Sequence, residues 1–139
     1  MVQLIVGNKG KGKTKHLLDK VNSEVKSITG NIVYLDKSTK HMYELNNKVR
    51  LIDVSQFMID NSSEFIGFVS GIISQDHDLQ QMYFDSFLKI SCLEDADITD
   101  AVAKLEKISA STGVDFILSV SKDENGLPEA VKKNILISL

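Results

Sequence analysis

Short apolar runs of strand length alternate with segments of helical period along the chain. Leu4-Ile5-Val6, Ile32-Val33-Tyr34-Leu35-Asp36, Val49 to Val54, Met82-Tyr83-Phe84-Asp85, Phe116 to Ser121 and Ile135-Leu136-Ile137 read as six strands. Between them, apolar residues recur three and four apart. Leu17, Leu18, Val21 and Val25 mark one helix stripe, Phe65, Ile66, Val69, Ile72 and Ile73 a second, and Ile98, Ala101, Val102, Leu105 and Ile108 a third. The breaker pair Gly30-Asn31 follows the first helix, Asn125-Gly126 marks a turn, and Pro128 suits the first position of a short helix through Lys133. Gly67 and Gly71, one turn apart, would permit close packing of the second helix on a sheet. Glycine inside a helix nevertheless costs roughly 1 kcal/mol relative to alanine. Strands alternating with helices predict an α/β fold, a three-layer sandwich with a mainly parallel sheet of five to six strands. Right-handed crossovers then put helices on both faces and gather ligand sites beyond the C-terminal strand ends. Gly7, Asp36, Asp53, Asp85 and Ser121 would fall on that rim.

The first strand runs directly into Gly7-Asn8-Lys9-Gly10-Lys11-Gly12-Lys13-Thr14, which fits the spacing G-x-x-x-x-G-K-[ST] at every fixed position. Strand, glycine-rich loop and helix are the context this motif requires. Backbone N–H groups of such a loop curl around phosphate oxygens, and the helix N-terminus adds its partial positive charge. Lys13 would reach the β- and γ-phosphates and Thr14 would offer its hydroxyl to Mg²⁺. Lys9 and Lys11 add positive charge around the loop. The expected ligands are therefore a nucleotide and Mg²⁺.

Composition narrows the class. With 139 residues and 42% hydrophobic content, the chain is expected to form a single nucleotide-binding domain over residues 1–139. A net charge of −3 argues against a general nucleic-acid binder, which usually carries a basic excess. Cys92 is the only cysteine, so neither an intrachain disulfide nor a cysteine-based zinc site is on offer. No run approaches a membrane span, and Met1-Val2-Gln3 leads into a strand rather than a signal sequence. A cytoplasmic setting without membrane contact is the expectation.

The motif from Gly7 to Thr14 is an essentially complete Walker A element, and the chain resembles the P-loop NTPase superfamily. That resemblance implies a Walker B aspartate at the end of an apolar strand, for which Asp85, Asp53 and Asp36 compete in that order. Asp85 leads because the next strand carries Ser119 and Ser121, as in RecA-like ATPases whose following strand bears a polar sensor; Ser121 is the preferred sensor. Asp53 would imply the kinase and GTPase order, in which the metal-binding strand lies beside the phosphate-loop strand. The order of elements, with the polar connection from Lys37 to Lys48 and the run Met82 to Ile90, also resembles small bacterial P-loop proteins often labelled twitching-motility-type ATPases. That likeness implies a compact ATP-binding core. The N-terminal domain and the His-box and Asp-box segments of a pilus motor have no counterpart in these residues.

Where many hydrolytic RecA-like ATPases place a glutamate after the Walker B aspartate, this chain has Ser86. Low intrinsic turnover is therefore expected, with Glu94 or Glu129 as distant alternatives for the base and a partner or neighbouring subunit supplying a basic finger. Arg50, the only arginine, lies inside a strand and is a poor finger. His16, His41 and His77 have no partner at metal-ligand spacing and read as surface histidines. Lys37, Lys40 and Lys48 would either close over phosphates or stay solvated. No guanine signature of the Asn-Lys-x-Asp type is present, which leaves ATP favoured. The readings are a slow Mg-dependent ATPase, a nucleotide-responsive interaction module without turnover, and a small-molecule kinase.

Overall fold

The structure is a computed structural model describing residues 1–139. Strands β1 (Val2–Val6), β2 (Asn31–Asp36), β3 (Val49–Asp53), β4 (Leu79–Phe84), β5 (Asp115–Val120) and β6 (Ile135–Ser138) form one six-stranded sheet in the order β3-β2-β4-β5-β1-β6. Every neighbouring pair is parallel. The crossovers carry α1 (Lys13–Glu24), α2 (Ser62–Ser74), α3 (Phe87–Ile90), α4 (Thr99–Thr112) and α5 (Glu129–Lys132). The result is the expected three-layer α/β sandwich.

Alternation along each strand sorts the side chains into two cores. Leu4, Val6, Val33, Leu35, Met82, Phe84, Phe116 and Leu118 face α2 to α5 in the larger cluster, in which Phe65 of α2 meets Phe84 edge-on. Ile5, Ile32, Tyr34, Tyr83 and Ile117 face the opposite way, against Leu17, Leu18 and Val21 of α1. One helix thus covers much of the second face. The phosphate-loop motif, at the start of that helix, opens on the side to which Tyr34, Tyr83 and Ile117 point.

The sequence pattern misses one element and misplaces another. The short helix α3 follows Asp85 directly because Phe87, Leu88 and Ile90 bury their side chains in the larger core, a tertiary demand that four residues cannot advertise by period. Gly67 and Gly71 do not bring α2 close to the sheet: a Cβ at either would meet nothing within 4 Å, so both lie on the open face of the helix. Their expected packing role is withdrawn. Pro128 precedes α5 as its N-cap, one position before the expected place.

Arg50 is held at the N-terminal end of the sheet, where its guanidinium lies 3.2 Å from Asp76 Oδ2. Asn31 Nδ2 donates to both oxygens of the same carboxylate at 3.1 and 3.0 Å. The lone arginine is thereby tied into a structural knot at the end of the strands opposite the phosphate loop. No helix of the chain is long and apolar enough to cross a membrane.

Candidate functional site

The loop after β1 takes its shape from two glycines. Gly10 and Gly12 have φ of +89° and +93°, in the region where a Cβ costs energy. Gly12 caps α1 without a side chain, and the N–H groups of Gly10, Gly12, Lys13 and Thr14 donate to no protein atom. Orphan donors at a helix N-terminus suit anionic oxygens. Lys13 is only 7% exposed, and its Nζ donates to the Asn8 carbonyl oxygen at 3.2 Å. Burial pushes its ammonium below the usual lysine range, while the charge of Asp85 acts in the opposite direction.

Parallel register sets the rest of the site. Leu35 pairs with Phe84 and Phe84 with Leu118, so the next residue of each strand, Asp36, Asp85 and Ser119, forms a row across three neighbouring strands. Odd-even alternation turns these side chains toward α1, the side on which Thr14 lies. Asp85 is buried and collects four donors: Tyr34 Oη donates to Oδ2 at 2.8 Å, and Ser119 Oγ, the Ser86 N–H and Thr14 Oγ1 donate to Oδ1 at 2.8, 2.9 and 3.2 Å. Ser86 adopts a left-handed conformation (φ +54°), and its N–H also donates to Ser119 Oγ at 2.9 Å. Burial, and then Asp85, push the Tyr34 phenol far above its ordinary range.

Asp36 is the second carboxyl of the row. Its Oδ1 accepts from the Lys37 N–H at 2.7 Å, but its Oδ2 is buried with no hydrogen-bond partner. Burial first, and the charge of Asp85 second, push its pKa up to about 6, against the opposing effects of Lys37 and His41. Two close carboxyls, both buried, disfavour double ionisation. In the absence of divalent cations, Asp36→Asn is expected to raise the free energy of unfolding by about 1 kcal/mol, by removing a desolvated charge. Urea unfolding in chelator reads this, and a variant less stable than the wild type refutes it.

These residues line a cavity of about 710 Å³ between the phosphate loop and the ends of β2, β4 and β5. Six lysines (Lys9, Lys13, Lys37, Lys40, Lys89 and Lys122) line it with four acidic residues, and Leu88 is its one hydrophobic residue. A cavity so polar, with basic charge in excess inside an acidic chain, is suited to a multiply charged anion.

The expected site residues distribute as follows. Lys9, Gly10, Gly12, Lys13, Thr14, Asp85 and Ser121 all reach this cavity. Ser121 is exposed just beyond β5, whereas Ser119 is the serine against Asp85. Asp53 ends β3 at the sheet edge and spends its carboxylate on the Ser55 N–H and hydroxyl, at 3.0 and 2.6 Å. Glu94 lines the cavity but is exposed, and Glu129 instead pairs with Lys132 at 3.0 Å. Lys37 and Lys40 reach the cavity, while Lys48 is not among its lining residues.

The reading of His41 as a surface histidine needs correction. It comes together with Asp36 and Asp85, one ligand atom of each lying within 4.8 Å of the others. Sequence spacing could not reveal this, because Asp36 and His41 lie at the end of β2 and on the connection after it, and only the pairing of β2 with β4 brings Asp85 beside them. That Tyr34 and Ser119 both donate to Asp85 was hidden for the same reason.

The Thr14 and Asp85 oxygens suit Mg²⁺. They are hard donors 3.2 Å apart, close to the separation of adjacent ligands in an octahedron with metal–oxygen bonds of about 2.1 Å.

The strand order separates β1 from β4 by β5 and leaves β3 at the edge. This is the RecA-like arrangement rather than the one with the two site strands adjacent. No protein-family model matches the chain, and no curated protein does. Among solved structures it is similar to the flagellar accessory protein FlaH from Methanocaldococcus jannaschii, with a TM-score of 0.58 at 15% identity. The match covers 95% of this chain and 65% of that one, so the chain spans about two thirds of its structural neighbour. The fold is RecA-like. At this identity the likeness speaks for the fold alone.

Proposed function

We propose that the chain binds a nucleoside triphosphate, ATP in the first instance, together with Mg²⁺, and cleaves its terminal phosphoanhydride slowly. The observation that carries this reading is the hydrogen bond from Thr14 Oγ1 to Asp85 Oδ1, which joins the phosphate loop to the carboxylate at the end of β4. Two elements far apart in sequence thus present adjacent oxygens to one cation beside the free N–H groups of the loop. Lys13 and the loop amides hold the phosphates. Mg²⁺, when bound, supplies positive charge that offsets the charge of the phosphate oxygens. Ser119 and Tyr34 fix the orientation of the Asp85 carboxylate, and the cation would take the place at Oδ1 that the Thr14 hydroxyl proton now occupies. Ser121, on the rim, serves as the polar contact to the terminal phosphate.

No glutamate follows Asp85, and Ser86 uses its N–H on the Asp85 and Ser119 oxygens. Asp36 lines the cavity with one oxygen unused, and it takes the role of orienting the attacking water and accepting its proton. Aspartate reaches less far than glutamate, and Arg50 is committed to Asp76, so no basic finger comes from this chain's own arginine. Slow turnover follows from both. The same facts favour, as second reading, a nucleotide-responsive module that acts on a protein partner or on another copy of itself. Lys37 and Lys40 at the cavity leave room for a third, transfer to a small acceptor.

The test is titration of Mg-ATP and Mg-GTP into the wild-type chain with phosphate release followed in the same samples. Saturable binding with release well below 1 per second, roughly a tenth of the median enzyme turnover or less, supports the slow ATPase. Binding without any release selects the module. Release that appears only with an added acceptor selects the kinase, and absence of nucleotide binding overturns all three.

A further inference from the structure

The end of β2 carries features that nucleotide binding does not require. Asp36 is 2% exposed, yet its Oδ2 meets no donor. A buried, unpartnered carboxylate oxygen is costly unless something positive occupies the space beside it. His41 lies across from it on the connection after β2, with its side chain 22% exposed. Nδ1 of His41 is 3.0 Å from Glu44 Oε2. A carboxylate can only accept, so in the neutral ring the proton sits on Nδ1 and Nε2 is the free nitrogen. A histidine whose one nitrogen is anchored by a carboxylate is the arrangement that orients imidazole toward a metal.

We propose that Asp36, His41 and Asp85 form a binding site for a divalent transition cation of the Zn²⁺ type, filled in the nucleotide-free protein. The ligand atoms already lie within 4.8 Å of one another. Drawing them to about 3.4 Å, the spacing of tetrahedral ligands at bonds of about 2.1 Å, takes shifts on the order of an ångström. His41 sits at the start of the short turn Met42–Glu44. Two carboxylates offset the dication's charge, and the neutral imidazole favours a borderline metal over Mg²⁺. Three protein ligands leave a fourth position for water. The cation would supply the missing partner of Asp36 Oδ2 and tie the connection bearing Lys37 and Lys40 to the end of β4. The site shares Asp85 and the cavity with the proposed Mg²⁺ position but takes no ligand from the phosphate loop.

The experiment uses the full chain without nucleotide. Zn²⁺ alone is titrated calorimetrically, and Co²⁺ is followed by visible absorption, for the wild type, His41→Ala and Asp36→Asn, each first shown to be folded by circular dichroism. The expected result is one ion per wild-type chain, a tetrahedral Co²⁺ spectrum, and affinity at least about tenfold lower in each variant. Glu44→Gln, which touches no metal directly, should weaken binding while preserving the stoichiometry. Absence of Zn²⁺ binding by the wild type, or unchanged affinity in either His41→Ala or Asp36→Asn, overturns the proposal. Since no nucleotide is present, such a failure leaves the reading of the phosphate loop untouched.

Discussion

Lys13→Ala is expected to bind Mg-ATP about 10- to 100-fold more weakly than the wild type, the effect of losing a charged hydrogen-bond donor worth about 1.5–3 kcal/mol. Phosphate release should fall further, by about 10²-fold at saturation, because the ammonium interacts most strongly with charge that develops as the bond breaks. The fold should be indifferent to this change. Lys13 is 7% exposed, and the one protein hydrogen bond of its ammonium is to its own loop at Asn8. Burial disfavours its charged form. Removing it therefore takes away a partly desolvated charge rather than a structural tie, and the unfolding free energy should change by less than about 0.5 kcal/mol. Calorimetric titration, phosphate release and thermal unfolding on one preparation decide the matter. A variant that still binds and hydrolyses like the wild type would show that the loop is not the nucleotide site.

Asp85 is expected to give the opposite pattern, with both stability and the proposed chemistry lost together. In Asp85→Ala, the donors Thr14 Oγ1, Tyr34 Oη, Ser119 Oγ and the Ser86 N–H lose their common acceptor. Tyr34 and Ser119 are buried, so water does not readily replace the carboxylate. At about 1 kcal/mol for each lost bond, the variant should lose about 3–4 kcal/mol of stability, lessened by the repulsion from Asp36 that it relieves. Asp85→Asn separates the two roles. Its amide oxygen, at the place of Oδ1, still accepts from Ser119 Oγ, Thr14 Oγ1 and the Ser86 N–H, and its NH2 group donates to Tyr34 Oη, while the charge that would hold Mg²⁺ is gone. It should keep most of the stability and lose phosphate release by at least about 10²-fold. Wild-type release in Asp85→Asn would remove this residue from the metal site, and an alanine variant as stable as the wild type would remove it from the structural role.

The two variants also show why some of the site could be read along the chain and some could not. Lys13 and Thr14 belong to a contiguous motif whose geometry is local, fixed by glycines a few residues away. Asp85 stood out because an apolar strand ended in a charge, but Asp36 and Asp53 end strands in the same way. What separates them is lateral position. Asp53 falls on the edge strand and turns to Ser55, while Asp36 and Asp85 occupy adjacent central strands at one level. Likewise Ser119 and Ser121 point to the same side of β5 by alternation. Only the pairing of Phe84 with Leu118 sets Ser119 beside Asp85. A shift of two residues would have set Ser121 beside Asp85 instead, without turning any apolar side chain to the other face. The glycines of α2 teach a related lesson. Period identified the helix, but the side on which Gly67 and Gly71 fall depends on how the helix is rotated against the sheet.

The sequence by itself determined the alternation of strands and helices, the phosphate-loop motif at the first strand-to-helix turn, and the presence of polar residues at strand ends. These are local properties, set by side-chain periodicity and by backbone freedom at glycine. Strand order and register belong to the tertiary structure alone, since they follow from burying two unequal faces of the sheet under helices whose sequence spacing does not specify their neighbours. That packing brings Tyr34, Asp36, His41, Asp85 and Ser119 together, leaves Asp36 with an unpaired oxygen, and holds Arg50 at the far end of the strands. The chemistry of the cavity is a matter of register, and register is decided by the core.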